Sequence, residues 1–115
     1  MIQIVSTSRY TLNRKQLRTS VANLLLGKGV NLSNSINIVF VGKKKMKRVS
    51  ATYKKEDVAL PVLAFPYKEE IEEKKLLGEI FICYPQAVLL AAQKNKKVDV
   101  TILQLIEHGI NNLLK

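Results

Sequence analysis

The chain has 115 residues, 47% apolar and 24% charged, the size and make-up of one globular domain that can bury a core without metals or disulfides. Its single cysteine, Cys83, excludes an intrachain disulfide. No apolar run approaches the roughly twenty residues of a membrane span, and Met1 to Val5 lack the charged lead and long apolar core of a secretory signal, so a cytoplasmic protein is expected.

The net charge of +10 belongs to one half of the chain. Twelve of the nineteen Lys and Arg lie in residues 1–55, which contain no Asp or Glu; residues 56–115 carry seven bases and all nine acids. Folding gains nothing from such a field, because like charges repel in the compact state. A polyanion accounts for it, since each cation set on a phosphate releases a condensed counterion. An anionic membrane surface fits less well, because no basic helix pattern carries a broad apolar face.

In chain order, Ile2, Ile4 and Val5 read as a short strand. From Thr11 the apolar spacing becomes helical, with Leu12, Leu17, Val21, Leu24 and Leu25 on one face and Gly27 and Gly29 as the stop. Ile36 to Val41 is rich in β-branched residues and reads as a strand buried on both faces. Gly42 opens a basic helix in which Met46, Val49 and Tyr53 recur at helical spacing. Val62 to Phe65 reads as a strand that Pro66 ends, Tyr67 to Lys75 as a solvated hairpin tip, and Gly78 to Cys83 as the returning strand. Pro85 suits the first turn of a helix running to about Lys94. Asp99 can cap a last helix with Ile102, Leu105, Ile106, Gly109 and Leu113 inward. Two successive βαβ units predict three parallel strands and right-handed crossovers, and the short link predicts an antiparallel fourth strand.

Four pieces in order carry a resemblance: Tyr53-Lys54, Val62-Leu63-Ala64-Phe65-Pro66, Leu77-Gly78-Glu79-Ile80 with Ile82, and His108-Gly109. Together they resemble the YbeY family of bacterial rRNA maturation factors over nearly the whole chain. That family pairs a Tyr-Arg element with a Val-Leu-Ser-Phe-Pro strand, follows with a Gly-Asp-Ile strand, and ends in His-Gly-x-x-His-x-x-x-x-x-His. The resemblance implies a four-stranded mixed sheet packed with helices, a metal-dependent endoribonuclease specific for single strands, zinc on three histidines, and the small ribosomal subunit and its rRNA as partners.

Against that pattern the chain departs at the metal. Two histidines four apart on a helix converge on one point, and three protein ligands leave zinc an open position. His108 occupies the first ligand position, but Asn112 stands at the second, and the third falls beyond Lys115. Zinc prefers nitrogen and sulfur donors to an amide oxygen, so the expectation is that this chain does not bind zinc in the family's manner. Lys54 replaces the family arginine, keeping charge for a catalytic role but losing the bidentate fork. Leu60-Pro61 stands where the family has Thr-Asp, Ala64 where it has Ser, and Glu79 where it has Asp.

For polyanion contact the candidates are Arg14, Lys15 and Arg18 on the first helix and Lys43, Lys44, Lys47 and Arg48 on the second, with Arg9 in the same field. A charge run is ordinarily a solvated face; the absence of any acid through residue 55 is what favours a partner. Tyr10 and Tyr53 read as isolated aromatics, so binding to phosphate and shape is expected rather than base stacking. Thr101, Gln104, His108, Asn111 or Asn112, and Lys115 read as one polar stripe on the last helix.

The expectation is one α+β domain, residues 1–115, with element order β-α-β-α-β-β-α-α and without the family's C-terminal end. Its function is that of an rRNA maturation factor, as a metal-dependent nuclease by resemblance; the alternative is a non-catalytic RNA-binding assembly protein on the same fold.

Overall fold

A computed structural model describes residues 1–7, 9–71 and 74–115, with backbone only at 68–71 and 74. The elements are β1 (Ile2–Val5), α1 (Arg14–Gly27), β2 (Ser35–Val41), α2 (Lys43–Tyr53), β3 (Val62–Ile71), β4 (Lys74–Cys83), α3 (Tyr84–Gln93) and α4 (Val98–Leu113). The four strands form one mixed sheet in the order β1-β2-β4-β3.

The element order, the parallel β1–β2 pair and the antiparallel β3–β4 pair are as expected, but β3 and β4 exchange the expected directions. β1, β2 and β4 run parallel, and β3 is the antiparallel member. The reason lies in which strand can be interior. Ile80, Ile82 and Cys83 of β4 are fully buried, so β4 belongs between β2 and β3. β3 carries Pro66 and then Lys68 to Glu70, which suit only an edge. Residues 54–61 carry the chain back from α2, and Val62 pairs with Ile82 near the end of β4, so β3 runs opposite to its neighbour.

Pro66 does not end β3. It sits opposite Gly78, after which the register shifts, and the ladder resumes at Glu69 opposite Leu76. On the other side of β4, Ser35 pairs with Leu76 and Ile36 with Gly78, leaving Leu77 as the extra residue of a bulge. Gly78 has φ +154, and a Cβ there would lie 2.2 Å from the Phe65 carbonyl oxygen, so only glycine fits. Residues expected to be a hairpin tip are therefore mostly paired strand through Ile71 and from Lys74; residues 72–73, within that expected tip, lie outside the described residues.

Helix ends follow local chemistry. α1 starts at Arg14 rather than Thr11 because the Asn13 side chain accepts from the Gln16 N–H at 3.1 Å. Leu12 stays in the preceding loop and still packs on the core. Gly29, at φ +76, lets Val30 N–H bond Leu25 O and Gly29 N–H bond Leu26 O, a Schellman ending. Asn95, at φ +52, ends α3 in the same way through Lys96 N–H to Ala91 O. Pro85 lies in the first turn of α3 as expected.

The sheet separates two apolar clusters. On one face Ile36, Ile38, Phe40, Ile80 and Ile82 meet Val21 and Leu25 of α1, Ala87 of α3, and Ile102, Ile106, Ile110 and Leu113 of α4. On the other, Val41, Leu63 and Cys83 meet Met46 of α2, with Val39, Phe65 and Phe81 alongside. α4 lies against the sheet at Gly109, where a Cβ would come 2.8 Å from Ile80 Cγ2. Thr101 does not join a polar stripe: it is buried, its hydroxyl donating to Lys97 O at 3.1 Å, which satisfies the group within its own helix. Cys83 is the buried hydrophobe the sequence suggests, and burial pushes its thiol above the ordinary range.

Candidate functional site

The residues of the family resemblance gather along the outer edge strand, on both sides of it. Phe65 points to the α2 face, where the Tyr53 ring packs on it with centroids 4.8 Å apart. Ala64 and Pro66, its neighbours, pair with Ile80 and Gly78, the two β4 residues that α4 covers through Gly109 and Leu113. Tyr53-Lys54 and His108-Gly109 are thus held against opposite faces of one short stretch of β3 and β4. Glu79, opposite Phe65, accepts a hydrogen bond from the Tyr67 hydroxyl.

On α4 the inward residues are Ile102, Ile106, Gly109, Ile110 and Leu113. Glu107 lies on one flank, where Lys28 at the end of α1 approaches it at 3.5 Å. At 100° per residue, His108 and Asn112 fall on the other flank, away from α1, separated by about 6 Å along the axis. His108 is exposed and Asn112 half-buried.

This donor set does not fit the family's zinc. Of the two ligand positions on α4, one holds the His108 imidazole and the other the Asn112 carboxamide, whose oxygen is a poor donor for zinc. No group of three or more His, Cys, Asp or Glu that could hold a metal exists among the described residues. Cys83, the one thiol, is buried beneath α2 on the opposite face of the sheet.

Lys54 is the C-cap of α2 and is exposed, its N–H bonding Ser50 O at 2.9 Å. Lys55 follows in the left-handed region at φ +56, which folds the Glu56 N–H back onto the same carbonyl at 3.3 Å. The charged run Lys54 to Asp57 reads as a turn, but neither Gly nor Asn stands there to mark its left-handed residue.

The basic residues divide into two groups. Lys43, Lys44, Lys47 and Arg48 are exposed on α2, whose inner face is Met46 and Ser50. Lys44, Lys47 and Arg48 line one shallow depression with Ala51 and Asp57, and Lys47 approaches Asp57 at 3.7 Å. Arg14, Lys15 and Arg18 lie on α1, across the sheet. Arg14 is also committed to the scaffold: its guanidinium donates to Ile4 O at 2.6 Å and Ser6 O at 3.1 Å, tying α1 to the end of β1. Lys15 and Arg18 are exposed, Arg18 beside Gln3 at the open edge of β1.

Neither tyrosine read as isolated is alone. Tyr10 stacks on Tyr84 with centroids 4.5 Å apart, and its hydroxyl sits where a side chain at Gly42 would intrude. Tyr53 begins a run of rings through Phe65 to Phe81. These contacts join residues distant in sequence, so only strand order could reveal them.

A sequence model of the family described as "Endoribonuclease YbeY" matches residues 3–114. Among curated proteins of that name, the one from Phytoplasma australiense is 31% identical over 85 residues, covering 70% of this chain and 58% of its own length. The one from Thermodesulfovibrio yellowstonii is 35% identical over 80 residues, covering 69% of this chain and 50% of its own. The chain thus spans about half the length of such relatives. The solution structure of TM1509 from Thermotoga maritima superimposes with a TM-score of 0.69 at 22% identity, covering all of this chain and 73% of that one, which speaks to the fold. With nearly every residue inside the family match and the Gly78 and Gly109 packing that its sheet and last helix require, the chain belongs to the YbeY family.

Proposed function

We propose that this protein binds RNA in ribosome maturation through the outer face of α2, and that it does so without the endoribonuclease activity for which its relatives are named. The RNA half of this reading is carried by one observation: residues 1–55 hold twelve bases and no acid, and α2 presents Lys43, Lys44, Lys45, Lys47 and Arg48 to solvent. Such a surface grips phosphate oxygens, so affinity is electrostatic, largely indifferent to sequence, and falls steeply with salt. The family membership supports rRNA as the polymer and the small subunit as its setting. The Asn112 carboxamide supports the non-catalytic half, because it cannot stand in for imidazole at zinc.

The test is RNA binding by the protein with Lys44, Lys47 and Arg48 all changed to Glu. All three side chains are exposed, so the fold should survive. Affinity for a single-stranded RNA at low salt is expected to fall at least tenfold, and the slope of log affinity against log salt to shrink by about 2, at roughly 0.7 per lost phosphate contact. Unchanged affinity and slope would remove α2 as the contact.

A further inference from the structure

Tyr53 is the most exposed aromatic residue among those described, at 65%. It is the last residue of α2, on the same side as Met46 and Ser50, yet its ring reaches beyond the core onto the edge strand. One side is braced by Phe65, tilted at 59°, which is braced edge-on by Phe81 at 5.6 Å. Its hydroxyl has no hydrogen-bond partner among the described residues, so the phenol is not retained for a polar contact within the fold. A ring fixed by a helix end and a second ring, and otherwise open to water, loses little freedom when something flat is laid on it.

The cations follow directly. Lys54 and Lys55 are both exposed, and the backbone passes from φ −115 at Lys54 to φ +56 at Lys55, so the two side chains leave in different directions. The acids nearest in sequence are Glu56 and Asp57, of which Asp57 is met by Lys47; Glu79, opposite Phe65, accepts from the Tyr67 hydroxyl. Neither Lys54 nor Lys55 forms an ion pair among the described residues. An exposed ring with a free cation on either side is the chemistry that holds single-stranded nucleic acid: a base on the π-face and its flanking phosphates on the ammonium groups. In a duplex the base faces are already stacked on each other and cannot be offered to the ring.

We propose that Tyr53 is the stacking platform for one unpaired base of a bound RNA strand, with Lys54 and Lys55 holding the adjoining phosphates. This rests on the RNA-binding reading above and deepens it, since it names the residue that would take an unpaired base.

The chain contains no tryptophan, so Tyr53→Trp introduces a single indole reporter at the platform. Three probes separate the terms: short oligo(A), an abasic oligoribonucleotide of equal length, and a blunt RNA duplex. Indole emission is expected to fall as oligo(A) saturates and to stay unchanged with the abasic strand and the duplex. In the otherwise unaltered protein, Tyr53→Ala should weaken oligo(A) binding about tenfold, the usual scale for one lost base stack. It should leave the abasic strand's affinity and salt slope as they were, and Tyr53→Phe should bind oligo(A) like the parent. Equal loss on oligo(A) and the abasic strand, or no loss on either, would overturn the platform while leaving phosphate binding intact. Failure of the unaltered protein to bind any of the three in a salt-dependent way would overturn the RNA reading and the platform with it.

Discussion

The two faces of the sheet make different demands on the chain. The face under α1, α3 and α4 is a continuous apolar layer, and it sets residue size to within a methyl group: Gly78 and Gly109 each stand where a Cβ would collide. The face under α2 is only partly covered; it ends in an aromatic run open to water and is flanked by lysines. On the first face close packing leaves room only for glycine at 78 and 109, while Asn112 beside them is only half-buried. On the second, exposed lysines stand beside a ring open to water. Packing constrains the first face more tightly than the second along the same pair of strands.

The largest effect expected from breaking this arrangement is on stability. Gly78→Ala forces a Cβ to 2.2 Å from the Phe65 carbonyl oxygen at φ +154, where no side chain is at ease. It should cost at least about 3 kcal/mol, or abolish folding, as read from the urea midpoint. Gly109→Ala meets only the Ile80 side chain, which can shift, so the loss should be about 1–3 kcal/mol. If Gly109→Ala proved the more damaging, the bulge would not be the fixed point of the sheet.

A second effect bears on the metal flank. Asn112→His restores two imidazoles four residues apart on α4, so zinc affinity, measured by competition with a chromophoric chelator, should rise several-fold above that of the parent. Equal affinity in parent and variant would mean that the carboxamide is not what separates this chain from a chelating site.

The smallest effect lies beneath α2. Ser50 is fully buried and its hydroxyl has no partner among the described residues. Ser50→Ala removes an unpaired polar group and improves helix propensity, so stability should rise by about 1 kcal/mol in the same urea assay. A loss instead would show that the hydroxyl has a bonding partner in solution.

Much of this was readable from the residues because periodicity and end chemistry are local. The element order, the buried β2 run, the inward Ile102, Ile106, Gly109 and Leu113, and the buried Cys83 all follow from spacing and side-chain type. What was not readable depends on strand order. The insertion of β4 between β2 and β3 reverses the expected direction of β3, carries the strand past Pro66, and puts Tyr53 on Phe65. The position of Pro66 and the charges after it did hold a signal for an edge strand. Thr101 illustrates another limit, because a threonine that bonds its own helix can be buried as readily as an apolar residue. At the site, the division of the bases between two faces and the commitment of Arg14 to β1 carbonyls needed coordinates, since charge counts carry no direction.

We propose that the protein holds RNA and leaves it whole. Incubated with a labelled single-stranded RNA and excess zinc, it can be read for bound fraction and RNA length in the same sample at low and moderate salt. A complex that dissociates steeply as salt rises, with RNA of unchanged length throughout, is expected. Shortened RNA whose appearance requires zinc and disappears in His108→Ala would contradict it.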